Sequence, residues 1–143
     1  MTANTTKAAA DYVLAIGTPD VDDYRRLRHI SGLSKMSLEA AMRGLPNTIH
    51  AVTIGWNGSV VGMGRIIGDG GCFYQVTDIA VDPDHQGRGL GKMIVKALVD
   101  YLRTSVPSTA YVSLIADGEA SELYAQFGFV PTAPASIGMA LKR

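Results

Sequence analysis

Residues 73–81 suit a β-strand, and Leu90, Ile94, Leu98, Tyr101 and Leu102 recur at the spacing of an amphipathic helix. The passage between them, Asp82-Pro83-Asp84-His85-Gln86-Gly87-Arg88-Gly89-Leu90-Gly91-Lys92, carries three alternate glycines. Such a connection lets the backbone turn tightly, and it leaves amides of the first helical turn directed outward. Those amides and the positive end of the helix dipole make a site for a pyrophosphate, with Arg88 and Lys92 adding charge at its rim. Three glycines could also serve only as a tight connection.

What precedes this turn narrows the fold. Tyr12 to Ile16 reads as a strand, closed by Gly17-Thr18-Pro19-Asp20. Val21, Tyr24, Leu27 and Ile30 predict a helix capped by Asp20, and Ser37 caps a shorter one that ends at Pro46. Two strands follow, Ile49 to Trp56 and Ser59 to Ile67, joined by the hairpin pair Asn57-Gly58. With the strand at 73–81 they form an antiparallel meander. Pro107 ends the long helix. A short strand over 110–116, a helix over 119–127 stopped by Gly128 and a last strand over 137–141 complete the order. Segregated antiparallel strands followed by a strand, helix, strand crossover predict a mixed sheet with helices on both faces.

This order separates the turn from two other phosphate-binding designs. A dinucleotide fold places its glycines after the first strand of a parallel series, whereas three antiparallel strands come first here. The nucleoside triphosphate loop needs Gly-Lys followed by Ser or Thr, and Met93 follows Gly91-Lys92. With 143 residues the chain suits one domain, and its thirteen basic residues balance thirteen acidic ones. No overall field therefore recruits nucleic acid or an anionic membrane. No apolar run approaches the roughly twenty residues that span a bilayer, and no secretory signal is visible. The single cysteine, Cys72, offers neither an internal disulfide nor a zinc pair, so a reducing, cytoplasmic setting is expected. His29, His50 and His85 lack metal-ligand spacing, and no metal is expected.

The run Gln86-Gly87-Arg88-Gly89-Leu90-Gly91 resembles the Arg/Gln-x-x-Gly-x-Gly/Ala signature of the GCN5-related N-acetyltransferase (GNAT) superfamily. Leu123-Tyr124-Ala125-Gln126-Phe127-Gly128-Phe129 is similar to the Leu-Tyr-x-x-x-Gly-Phe segment near the end of those enzymes. The resemblance implies a single-domain α/β (α+β) GNAT fold over 11–143, after a flexible N-terminal tail at 1–10. Its central sheet would be mixed and mostly antiparallel, with helices on both faces and a V-shaped splay between central strands.

The resemblance further implies acetyl-CoA as cosubstrate and a small-molecule primary amine as acceptor, joined by direct attack in a ternary complex. Ile79, Ala80 and Val81 would pair with the pantetheine arm, and Gln86, Gly87, Arg88, Gly89, Leu90, Gly91 and Lys92 would hold the pyrophosphate. Tyr124 would contact the sulfur and act as general acid. Asp78, an acidic residue in an otherwise apolar strand, is the candidate base and acceptor contact. The connection between the first two helices would build the acceptor pocket, drawing in Arg28, Ser31 and Leu33, with Arg65 nearby. Residues 77–92 look like the equivalent part of glucosamine-phosphate N-acetyltransferases, but Thr77 stands where those enzymes carry a Glu. Arylalkylamines, polyamines and amino acids remain open as acceptors, as do a peptide amine and a CoA-binding regulator without turnover. A monomer or homodimer is expected.

Overall fold

The computed structural model describes residues 11–143, so the tail expected over 1–10 lies outside the described residues. Element order is β1 (Tyr12–Ile16), α1 (Val21–Ile30), α2 (Leu38–Gly44), β2 (His50–Trp56), β3 (Ser59–Gly68), β4 (Phe73–Val81), α3 (Leu90–Ser105), β5 (Tyr111–Ser113) and α4 (Ala120–Ala125). Both expected caps form: Asp20 accepts from the Asp23 amide at 2.8 Å and Ser37 from the Ala40 amide at 3.0 Å. Each satisfies an amide that its helix cannot, worth about 1 kcal/mol. Asn57 and Gly58 both take positive φ, which suits a tight hairpin to the twist of β2 and β3.

The five strands lie in the order β1-β2-β3-β4-β5. The first three pairings are antiparallel, and β4–β5 is parallel. On one face α3 buries Leu90, Ile94, Leu98 and Leu102 against Val52, Ile54, Ile66, Tyr74 and Val76. On the other, Tyr24 and Leu27 of α1 and Ala41 of α2 pack on Met63 and Ala80. This is the mixed, mostly antiparallel sheet with helices on both faces that the order of elements predicts. No described helix is long and apolar enough to cross a membrane.

Two departures from simple pairing shape the molecule. In the β3–β4 ladder Arg65 faces Thr77 and Met63 faces Ala80, so β4 carries one extra residue, and Asp78 adopts φ 58° there. Such a bulge re-aims a side chain and bends its strand. Before it, Tyr74 and Val76 face α3; beyond it, Ala80 joins the α1 side while Ile79 and Val81 pack toward α3. The β4–β5 ladder meanwhile ends at Gln75 opposite Ser113. From Val76 to Val81 the β5-facing edge of β4 is therefore open, which is the splay.

Gly64 admits α3 to the sheet. A Cβ there would lie 2.5 Å from Ile94 Cγ2 and 2.8 Å from Ile79 Cδ1. Gly64→Ala is expected to destabilise the fold by about 1–3 kcal/mol through overpacking, read from urea unfolding with an unchanged m-value. A loss below ~0.5 kcal/mol would mean that α3 shifts freely to accommodate the methyl group.

The C-terminal region differs from expectation. The strand over 110–116 contracts to Tyr111–Ser113 and the helix over 119–127 to Ala120–Ala125. The strand over 137–141 does not form, because among the described residues nothing pairs with it; its alternation of Ile137, Met139 and Leu141 is solvent-exposed instead.

Candidate active site

The splay opens onto a cavity of about 490 Å³, walled by Arg28, Leu33 and Ser34 from the α1–α2 side, Thr77 to Ile79 of β4, and Ile115, Asp117 and Tyr124 from the β5–α4 side. Of the residues singled out in the sequence, Arg28, Leu33, Asp78, Ile79 and Tyr124 meet here. Ser31 does not line it: its amide closes the end of α1 on the Leu27 carbonyl. Arg65 lines an adjoining cavity with Tyr24 and Ala41.

Asp78 is the electrostatic centre. The bulge turns its carboxylate toward α1, where Oδ1 accepts from Arg28 Nη1 and Oδ2 accepts from Arg65 Nη1 at 2.7 Å and Tyr24 Oη at 2.8 Å. Arg28, Arg65 and Asp78 are 7%, 7% and 8% exposed, so the cluster is nearly dry. Both guanidiniums are held elsewhere as well. Arg28 donates to the Ser34 carbonyl at 2.8 Å and to Ser34 Oγ at 2.9 Å. Arg65 donates to Thr48 Oγ1 at 2.9 Å and to the Gly44 carbonyl at 3.1 Å. Two cations around one carboxylate leave an excess of positive charge beside the cavity. The Tyr24 ring lies beneath them, 5.9 Å from Arg28 Cζ and 5.6 Å from Arg65 Cζ. Burial, followed by the negative charge and hydrogen bond of Asp78, pushes the Tyr24 phenol up.

Tyr124 reaches the cavity from α4, its ring held edge-on by Phe129 at 6.1 Å. Burial and, second, the negative charge of Asp117 push its phenol above the ordinary tyrosine value. A raised phenol keeps its proton through the neutral range, which suits an acid. Asp117 is exposed on the same wall.

At the far end of β4, Gly89 caps α3 at φ 80°, and it has no side chain to accept from the first turn. The first intrahelical bond runs from the Met93 amide to the Gly89 carbonyl at 3.1 Å. The amides of Leu90, Gly91 and Lys92 thus await an acceptor from outside the helix. Gly87, at φ 78°, and Gly89 have nothing within 4 Å of where a Cβ would stand. Open space, free amides and no acidic residue in the first turn fit a pyrophosphate. The open β4 edge at Ile79, Ala80 and Val81 leads from there to the cavity, in the manner of a strand awaiting an extended amide-bearing chain. Acetyl-CoA has that shape: a pyrophosphate, two amides and a thioester in line.

Several residues escaped the sequence reading. Tyr24 stands one turn before Arg28, a spacing visible in the sequence, yet it reads there only as helix core. Ser34 falls in the connection between the first two helices expected to build the acceptor pocket, whereas Asp117 lies in irregular chain and carries no periodic signal. Asp69 closes the β3–β4 turn by accepting from the Phe73, Gly71 and Cys72 amides, which hold its carboxyl below the usual range. Among the described residues no His, Cys, Asp and Glu group is placed to hold a metal ion.

Comparison with known proteins bears on the fold and the family. Residues 47–131 match the family model of the acetyltransferase (GNAT) domain. A probable acetyltransferase of unknown function from methicillin-resistant Staphylococcus aureus is 42% identical, with a TM-score of 0.87 over 92% of this chain and 99% of that one. An uncharacterized N-acetyltransferase of Pyropia yezoensis is 34% identical over 52% of this chain and 41% of its own length. The N-alpha-acetyltransferase RimI of Mycobacterium tuberculosis is 39% identical over 39% of this chain and 34% of its own length. The chain thus spans well under half of these two relatives.

Proposed function

The chain belongs to the GNAT acetyltransferase family, and from that premise we propose that it transfers the acetyl group of acetyl-CoA directly to the primary amine of a small molecule. The observation that carries this reading is the conjunction of uncapped α3 amides, the open β4 edge and the cavity where that edge ends. When bound, acetyl-CoA supplies an activated acyl group and a thiolate leaving group. The amides of Leu90, Gly91 and Lys92, with Gln86 to Gly89, grip its pyrophosphate. The backbone of Ile79, Ala80 and Val81 bonds the pantetheine amides and aims the arm at the cavity. Tyr124 donates its proton to the departing sulfur.

An acceptor amine near pKa 10 arrives mostly as an ammonium, so a proton must leave it before attack. Asp78 already accepts from two guanidiniums and a phenol and is 8% exposed, which leaves little of its carboxylate for an ammonium. Asp117 offers a carboxylate on the same cavity wall. We assign Asp117 to receive the ammonium and pass its proton to solvent before the amine attacks, and Asp78 to anchor the Arg28 and Arg65 guanidiniums that shape the acceptor end. A cavity of about 490 Å³ suits a small acceptor.

The test is calorimetry with CoA and acetyl-CoA, followed by thiol release against amino sugars, arylalkylamines, polyamines, amino acids and a peptide with a free N-terminus. Binding together with turnover of a small amine is expected. Faster turnover of the peptide would move the assignment to a peptide N-acetyltransferase, and binding without turnover to a CoA-dependent regulator. No heat of binding to either thiol carrier would overturn the reading altogether.

A further inference from the structure

The buried charges beside the cavity do not balance. Arg28 and Arg65 are each 7% exposed and share one carboxylate, Asp78, and among the described residues neither guanidinium has a second acidic partner. Asp117, on the wall built from β5 and α4, is exposed and lies outside this nearly dry cluster. A buried charge without a counter-charge is costly, and a ligand that brings one removes the cost. The guanidiniums also have donors to spare. Each gives three of its five N–H groups: Arg28 to Asp78, the Ser34 carbonyl and Ser34 Oγ, and Arg65 to Asp78, Thr48 Oγ1 and the Gly44 carbonyl. Arg28 lines the cavity that Tyr124 enters, whereas Arg65 lines the adjoining one and acts on the first through its charge. The bonds to Ser34 and Asp78 fix the Arg28 side chain in advance, so little order is lost when it takes a ligand.

On the acetyl-transfer reading above, we infer that the acceptor is an amine that also carries an anionic group, a carboxylate or a phosphate. The anion pairs with Arg28 and the ammonium with Asp117, while Val76, Ile79 and Ile115 line the space with apolar surface. One wall of the cavity is thus positive and another negative, which complements a zwitterion and disfavours a polyamine, whose second cation meets Arg28. Either anion suits a guanidinium, because its planar fork matches two oxygens at once. Pairing at Arg28 also holds the acceptor nitrogen near the splay, so the anion contributes to positioning as well as to binding. The chemical step is the one already assigned. The amine nitrogen bonds the acetyl carbon as the carbon–sulfur bond breaks; one proton has left through Asp117 to solvent, and the second, lost as the amide forms, replaces the one that Tyr124 gives the sulfur.

Matched pairs of amines test it: an amino acid against the amino alcohol of equal chain length, and an amino-sugar phosphate against the free amino sugar. Each pair is compared by kcat/KM at saturating acetyl-CoA, and by calorimetry on the protein without it. The anionic member of at least one pair should be preferred roughly 10- to 100-fold, the worth of charge-assisted hydrogen bonds to a buried cation. Which pair shows it separates carboxylate from phosphate. In Arg28→Met, checked for folding by circular dichroism, the ratio should fall to within about threefold of one, and Arg28→Lys, which keeps the charge and loses the fork, should give an intermediate ratio. Equal use of the neutral members or faster use of a polyamine overturns the inference. So does a preference that survives Arg28→Met, which would place the anion on the α3 amides instead. An anion bound through Arg28 without acetyl transfer would sink the enzymatic reading and uphold this one; amine turnover with no preference for the anion would do the reverse.

Discussion

Tyr124→Phe is expected to lower kcat by roughly 10²–10⁴-fold while the Kd for acetyl-CoA changes little. The substitution removes one oxygen and keeps the ring, so the contact with Phe129 and the packing of α4 persist. What is lost is a proton donor on the wall of the cavity, and the departing sulfur must then leave as a bare thiolate or draw on solvent. The pH profile gives the sharper readout. Burial and Asp117 both raise the Tyr124 phenol, so its protonated form persists to higher pH than an exposed tyrosine would allow, and the alkaline limb of kcat should lie above pH ~10. Asp117→Asn removes the second cause and should move that limb downward. It should also raise KM for the amine if Asp117 receives the ammonium. A kcat within about threefold of wild type in Tyr124→Phe, less than a single positioned acid contributes, would remove Tyr124 from the chemistry.

Asp78→Asn should carry the largest stability cost of any conservative substitution in the molecule. The amide keeps the shape of the carboxylate and removes its charge, leaving Arg28 and Arg65 facing one another where each is 7% exposed. Breaking a buried ion pair by removing one partner typically costs about 3–5 kcal/mol, because the remaining charge is uncompensated. For a domain of this size that corresponds to a fall in Tm of about 10 °C. Arg28→Met with the carboxylate intact should cost less than Asp78→Asn, since Arg65 still neutralises the anion. Thermal and urea unfolding followed by circular dichroism would measure both. A loss under ~1 kcal/mol for Asp78→Asn would mean that water enters and solvates the guanidiniums. The same variant, assayed below its Tm, separates anchoring from proton transfer. If Asp78 only anchors, kcat falls without loss of the acid limb of its pH profile, whereas a base would take that limb with it.

The helices with capped starts, the hairpin at Asn57-Gly58 and the glycine turn into α3 were legible because each is set by neighbours within a few residues. Capping, positive φ and helical period are local physics. The turn residues from Gln86 to Lys92 share that quality, since a helix terminus exposes its amides wherever it sits in a fold. Tyr124 was legible only through its surrounding motif, because Leu123, Tyr124 and Phe127 also have the spacing of an ordinary core face.

The end of the cavity around Asp78 was much less legible. Asp78 stood out as the one charged residue in its strand, but nothing local announces that one inserted residue turns it toward α1, or that Arg28 and Arg65, fifty and thirteen positions away, converge on it. Ser34 and Asp117 sit in irregular chain, where no period exists to read. The final strand failed for a related reason: alternation at 137–141 reports what the segment can do, while pairing requires an edge that the segment cannot supply.

By itself, then, the sequence determined the order of elements as far as α4, the meander and the glycine turn into α3, all features whose energy is set over one or two turns of chain. Only the tertiary structure decided where β4 parts from β5, which charges neutralise one another inside, and which apolar rows remain uncovered. Those depend on burial and on contacts between residues far apart in sequence, and desolvation acts on a group only once the rest of the fold has closed around it.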